Sequence, residues 1–360
     1  MKVLAGTAGL MLFRNSIFRM SGILVLMFIL LFRGYSQDEY ISQPVKLMFY
    51  NVENLFDCSD DPLKDDEAFL PEGVMRWNYK RYSKKINSVY KAIVAAGEWS
   101  PPAVVAFCEI ENKKILEDLI FRTYLSKYEW GIIHEDSPDE RGIDVCLIFR
   151  KDLLKVIEAE YWFPSSIEKK IFFSRGVLYA KFAILNDTIH TIVNHWPSRR
   201  GGVLAGEGMR IAISEMIRAN ADSISDLYSG KAKIILMGDF NCTPDDPVVQ
   251  KMINPGGSVS SGSSLSLVNL TDELAANGSG TYRYNGIWEM IDQIIVSGWL
   301  LNCRNGLYTD KTMFSIFKPD FLLKGDPTYP GVTPYSTYRG YRYQGGFSDH
   351  LPVIVDLRFR

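Results

Sequence analysis

From Val45 onward the chain alternates short apolar runs with stretches whose apolar residues recur at helical spacing, a pattern of layered α and β structure. The apolar runs predict strands at 45–52, 103–108, 143–149, 177–185, 188–194, 233–238, 290–296 and 351–357. A helix is predicted over 79–96, with Ile86, Val89, Tyr90, Ile93 and Val94 on one face and Lys84, Lys85 and Lys91 on the other. Pro101-Pro102 stops that helix, and a second runs from about 205 to 227. The strands 177–185 and 188–194 meet at Asn186-Asp187, a two-residue hairpin signal that implies antiparallel pairing and disfavours a purely parallel sheet.

Two stretches break the pattern. Gly256-Gly257 and the serine-rich run to Ser266 carry only Val259 and Leu265 as apolar residues, too few to offset the entropy of ordering, so a flexible surface insertion is expected. Residues 307–347 are rich in Tyr, Pro and Gly and too long for a passive connector; they are expected to pack over one end of the fold and shape access to it. No repeat is visible, and residues 43–360 read as one domain.

With 360 residues, 47% apolar and 13% aromatic, the chain can bury a sizeable core. Forty basic and 42 acidic residues leave a net charge of -2, so a basic surface has to be local. In residues 1–37, Arg14 and Arg19 precede a ten-residue apolar run ending at Phe32, followed by Gly34-Tyr35-Ser36-Gln37. The run is half of the roughly 20 residues a membrane span needs, so a secretory signal cleaved near Ser36 and a periplasmic or secreted product are expected. The five cysteines are odd in number and widely spaced; Cys108, Cys146 and Cys242 fall in strand runs, as small core hydrophobes do. The lack of a Cys-x-x-Cys pair argues against structural zinc and thioredoxin-like chemistry.

Acidic, amide and imidazole side chains recur where predicted strands end. In order these are Tyr50-Asn51-Val52-Glu53-Asn54, Phe107-Cys108-Glu109-Ile110-Glu111-Asn112, Val193-Asn194-His195-Trp196, Met237-Gly238-Asp239-Phe240-Asn241, Met290-Ile291-Asp292-Gln293 and Ser348-Asp349-His350-Leu351-Pro352. Hydrolysis of a phosphodiester needs neutralised phosphoryl oxygens, an activated water and a protonated leaving oxygen, and this set contains groups for all three. Hard oxygen ligands without a cysteine or paired-histidine cluster suit Mg²⁺, Mn²⁺ or Ca²⁺ better than zinc.

In this order the segments resemble the signature stretches of the endonuclease/exonuclease/phosphatase superfamily, over nearly the whole of residues 45–357. The resemblance implies an α+β fold, a four-layer α/β/β/α sandwich of two packed, mostly antiparallel sheets flanked by helices, with the active site at one end. It implies Glu109 as the metal ligand, Mg²⁺ foremost, with Asn51 and Asp349 completing or orienting that shell. Asp239 becomes the base or orienter of the attacking water, and Asn241 a donor to a phosphoryl oxygen. His350 polarises the phosphate, paired with Asp292; His195 matches the deoxyribonuclease-like branch, as leaving-group acid or phosphate donor. The implied substrate is a nucleic-acid phosphodiester in DNA or RNA, the alternative a phospholipid, sugar phosphate or nucleotide. No obligate protein partner is implied, and a monomer is expected. A non-catalytic binding module would be expected to lack the metal-binding carboxylate or the closing histidine, and both are present.

Several residues carry two readings. Glu111 rivals Glu109 for the metal or caps the helix near Asn112; Asp144, after Arg141-Gly142, orients His195 or starts a strand. Arg199 and Arg200 bind a substrate phosphate or form a solvated loop. The acidic run Asp57, Asp60, Asp61, Asp65, Asp66 and Glu67 fits solvation better than an accessory Ca²⁺. Trp77, Tyr79 and Tyr82, mixed with Arg76, Lys80, Arg81, Lys84 and Lys85, match a nucleic-acid surface and helical packing equally well. His134 and His190 match no motif and are expected to be structural or exposed.

Overall fold

The first predicted strand runs on to Leu55 (β1, Val45–Leu55), and both of its faces are covered: Met48, Tyr50 and Val52 join one core cluster while Leu47 and Phe49 are buried on the other side. Two-sided burial is why it reads as an unbroken apolar run. The computed structural model describes residues 44–164, 175–199, 206–255 and 265–360. The expected leader, Arg200 and the serine-rich insertion up to residue 264 lie outside them.

After β1 come α1 (Tyr79–Gly97), β2 (Val104–Ile110), α2 (Lys113–Phe121), β3 (Trp130–Ile133), β4 (Asp144–Arg150), β5 (Lys155–Trp162), β6 (Val177–Ile184) and β7 (Asp187–His195). The second half holds α3 (Glu207–Leu227), β8 (Ile234–Asp239), α4 (Pro247–Ile253), β9 (Leu267–Asn269), β10 (Tyr282–Tyr284), β11 (Ile287–Glu289) and β12 (Asp292–Ser297). Short strands follow at β13 (Leu307–Tyr308), β14 (Phe314–Ile316), β15 (Leu323–Gly325), β16 (Val332–Pro334), β17 (Tyr338–Arg339) and β18 (Arg342–Tyr343), before β19 (Val353–Phe359).

One sheet has the order β13-β19-β1-β2-β4-β3, with β14 also on β19; the other has the order β5-β6-β7-β8-β12-β9. The β1–β2 and β7–β8 pairs are parallel, whereas β1–β19, β2–β4, β5–β6, β6–β7 and β8–β12 are antiparallel. Val89, Ile93, Leu116 and Leu119 of α1 and α2 pack on Met48 and Phe107 of the first sheet. Ile213, Ile217, Val249 and Met252 of α3 and α4 cover Ile192 and Leu236 of the second. Between the sheets Phe149 meets Phe182, with ring centroids 5.2 Å apart. The expected four-layer sandwich is therefore the fold.

Two local expectations change. The hairpin loop is Leu185-Asn186, one residue early, with Leu185 at φ 50. Asp187 starts β7 instead, because its carboxylate accepts from the Leu307 and Thr188 amides and pairs with Lys233. Lys85 is not on a solvated face of α1: it is 2% exposed, and its ammonium donates to Thr337 Oγ1 and to Phe347 O (2.6 Å). The 307–347 segment lies over that side of α1, which makes the helix two-sided. Trp77 and Tyr82, read as surface candidates, are core residues.

Candidate active site

Strand alternation carries polar residues to the end of the intersheet core. Asn51 of β1 and Cys108 of β2 are register partners in one sheet, and His195, Asp239 and Asp292 form a continuous row across β7, β8 and β12 in the other. Each stands at a spacing of two from buried residues of its own strand, Asp292 before them and the others after. Close approach of β7 and β8 requires Gly238, where a Cβ would collide with Asn194 O.

Glu109 reaches this row by a different device. Plain alternation would turn it away from Cys108, but the β2–β4 register shifts between Cys108 and Ile110, and Glu109 sits in the bulge at φ 65. Glu53 (φ 54), Asn54 (φ 48) and Asn241 (φ 47) are likewise left-handed at neighbouring strand ends. Non-glycine residues seldom adopt this region, and such strain clusters at functional sites. The bulge also separates Glu109 from Glu111, whose carboxylate accepts from Asp57 N (2.6 Å) and Asn112 Nδ2 (3.1 Å). Asn112, not Glu111, caps α2 by accepting from Ile115 N at 3.2 Å.

Asn51 links the two sheets. Its amide nitrogen lies 3.0 Å from Asp239 Oδ2, 3.4 Å from Glu109 Oε1 and 3.5 Å from His350 Nε2. Its carbonyl accepts from Glu53 N at 2.9 Å, so the side chain orients the carboxylates. Asp239 also accepts from Asn241 N at 2.8 Å, and the Asn241 amide donates to Trp196 O at 2.9 Å. His350 Nδ1 donates to Asp292 at 2.7 Å, its Nε2 stands 3.9 Å from Asp239 and Asp349, and its ring lies 4.9 Å from that of Tyr282. Ser348 Oγ fastens this loop to Asn51 O at 2.7 Å. Glu109 and Asp349 are 15% and 41% exposed at the side chain, against 2% for Asp239, so the cluster opens to solvent on their side.

Burial and the charge of Asp292 push Asp239 up to about 7 even with His350 nearby. Burial and Glu109 likewise raise Asp349. Burial works against a charged His350, yet Asp292, Asp349 and Asp239 hold its pKa well above the usual imidazole value. His195 moves the other way, pushed far down by burial, Arg175 and Arg141. Burial would raise Glu109, but Arg141 and His350 hold it below the ordinary carboxylate range.

No sequence pattern marks Arg141 or Arg175 as a cation beside this site. Arg175 Nη1 lies 2.7 Å from His195 Nδ1, and Asp139 stands within 3.5 Å of Arg175 and 3.9 Å of Arg141. Asp144 does not orient His195: it stands 3.1 Å from His134 and accepts from Ser137 N at 3.0 Å. Arg199 pairs with Asp246 at 3.0 Å, and His190 is buried against Tyr179 OH at 2.9 Å. Cys108, Cys146 and Cys242 are buried free thiols, and Cys108 lies beside His195 and Asp239 with its pKa raised by burial and by Asp239.

Comparison with known proteins bears on the family and the fold. The sequence pattern of the Endonuclease/Exonuclease/phosphatase family matches residues 46–359. The human Nocturnin catalytic domain, solved with bound sulfate, superposes with TM-score 0.51 and 17% identity, over 88% of this chain and 95% of that one. D. rerio TDP2 complexed with a single-strand DNA product gives TM-score 0.51 and 13% identity, over 88% and 100%. A mannosyl-6-phosphatase of Bacteroides thetaiotaomicron gives 0.52 and 14%, over 88% and 100%. At these identities the likeness is one of fold. No protein of curated function matches the sequence at a significant level.

Proposed function

Since the chain belongs to the endonuclease/exonuclease/phosphatase family, we propose that it is a divalent-cation-dependent hydrolase that cleaves a phosphate ester with activated water. The observation that carries this reading is the meeting of Glu109 and Asn51 from one sheet with Asp239 and His195 from the other, closed by Asp292–His350.

The donor set fits a hard cation. Asp239 and Asp349 have pKa values raised by burial and, further, by neighbouring negative charge, and a divalent ion beside Glu109 and Asp349 would offset that charge. When bound, such an ion, Mg²⁺ foremost, neutralises phosphoryl charge. Asp239, held by Asn51 and Asn241 N, orients and deprotonates the attacking water. His350, kept protonated by Asp292, donates from Nε2 to a phosphoryl oxygen. His195 is neutral beside Arg175, which suits it to hydrogen bonding with the phosphate better than to delivering a proton.

A nucleic-acid phosphodiester is the favoured substrate. Assay of plasmid DNA, RNA, sphingomyelin and sugar phosphates, with Mg²⁺, Mn²⁺, Ca²⁺ or chelator, tests this; cation-dependent release from none of them contradicts it. Residues 1–37 are read as a secretory leader, tested by sequencing the N-terminus of the product recovered from cells; an intact Met1 contradicts cleavage near Ser36. Among the described residues no helix is long and apolar enough to cross a membrane.

A further inference from the structure

The β17–β18 ribbon places Arg339 directly opposite Arg342. Like charges facing each other on a two-stranded ribbon are destabilising unless an anion lies between them. Both side chains are exposed, and among the described residues neither has a carboxylate within 4.0 Å. Arg339 donates to Thr328 Oγ1 at 2.7 Å, and the nearby Asp326 pairs instead with Arg283 at 3.4 Å. Three more cations converge on the same ribbon. Arg81 and Lys84 of α1 lie 4.3 and 5.9 Å from the Tyr343 ring, and Lys324 has its pKa lowered by partial burial, Arg339 and Arg342.

The turn between the strands is Gly340-Tyr341, with Gly340 at φ 55 and Tyr341 78% exposed. An exposed tyrosine thus lies in the turn that joins the two arginines' strands. At its base the ribbon is fixed to the active site: Thr337 N and Tyr338 N donate to Glu53, two residues from Asn51, at 2.6 and 2.9 Å.

We propose that this ribbon is a docking point for single-stranded nucleic acid, with Arg339 and Arg342 gripping a backbone phosphate away from the scissile one and Tyr341 stacking on a base. The chemistry is that of sequence-tolerant strand binding, in which guanidiniums follow the backbone and an aromatic ring accepts any base. A narrow cluster on a chain of net charge -2 suits one strand better than a duplex or an anionic membrane, both of which need a broad basic face. The inference rests on the hydrolytic reading only in taking the gripped phosphate to be separate from a scissile one.

Fluorescence anisotropy of a labelled oligothymidylate, in chelator so that no cleavage occurs, tests it. Arg339→Gln/Arg342→Gln is expected to weaken binding at least about tenfold and to flatten the salt dependence, by about 0.7 in log–log slope for each phosphate no longer neutralised. Tyr341→Ala is expected to cost roughly tenfold. Hydrolysis of p-nitrophenyl phosphate or its diester should stay at the wild-type rate in both variants. Oligonucleotide binding unchanged in the double variant overturns the proposal, as does tighter arginine-dependent binding to phosphatidylglycerol vesicles than to the oligonucleotide. Small-ester hydrolysis without oligonucleotide binding also defeats it while leaving the hydrolytic reading intact; binding without any hydrolysis does the reverse.

Discussion

His350 and Asp292 stand 58 residues apart in the chain, yet the imidazole Nδ1 donates to the carboxylate at 2.7 Å, inside a cluster where Asp292 is fully buried. The contact orients the His350 ring, favours its imidazolium form and turns Nε2 toward Asp239 and Asn51. It is the same service a buried aspartate gives a catalytic histidine elsewhere.

Asp292→Asn keeps the shape and removes the charge, so kcat should fall on the order of 10²-fold or more with little change in fold. Because Asp292 is the main influence raising the pKa of His350, the alkaline limb of the pH–rate profile should move to lower pH in the variant. An unmoved limb would show that imidazolium is not required.

Stability without a cation should fall as pH rises. Asp239 and Glu53 sit at about 7 in the folded protein, above their ordinary carboxylate values, because both are buried and Asp292 and Asp349 respectively add negative charge. A raised pKa stabilises fully below the unfolded value, near 4, and loses that contribution as pH passes the folded value. His350, also raised, acts in the same direction. Tm in chelator should therefore drop between about pH 5 and about pH 8, while the rise in Tm given by Mg²⁺ grows. A Mg²⁺ effect that shrinks over that range would count against a carboxylate-bound ion.

Gly238→Ala should cost about 1–3 kcal/mol by urea unfolding, because the new Cβ runs into Asn194 O and neither strand can move freely. Since Gly238 adjoins Asp239, activity should fall further than the reduced folded fraction explains.

Much of this was legible in the sequence. The strand-end motifs identified the Asn51, Glu109, His195, Asp239, Asp292 and His350 cluster because Asn51, His195, Asp239 and Asp292 lie on the inward faces of their strands at one end of the core, with Glu109 and His350 beside them. What was not legible depends on backbone irregularity or on distant segments. The choice between Glu109 and Glu111 is made by one bulge residue at φ 65, which no residue type announces. Arg175 reaches His195 and Asp139 only through tertiary packing, and Lys85 looked like its solvated neighbours until the 307–347 segment lay over it. The resemblance pointed to Glu109; the fold shows how the two glutamates part.

Lys85→Met should destabilise by about 1–3 kcal/mol, since Thr337 Oγ1 and Phe347 O lose their buried donor and Glu53 the cation that opposes its raised pKa. Limited proteolysis should then cut between residues 335 and 347 faster than in the wild type. Equal cutting would mean that Glu53 alone anchors the segment.

The central claim is that Glu109 helps hold a divalent cation needed for hydrolysis, at a cluster to which both sheets contribute. The direct measurement is the rate of phosphate-ester hydrolysis as Mg²⁺ is returned to metal-free protein, for wild type and Glu109→Gln. The account predicts no turnover in chelator, saturable recovery in the wild type, and half-saturation at least about tenfold higher in Glu109→Gln. Full turnover in chelator, or an identical Mg²⁺ dependence in the two proteins, would contradict it.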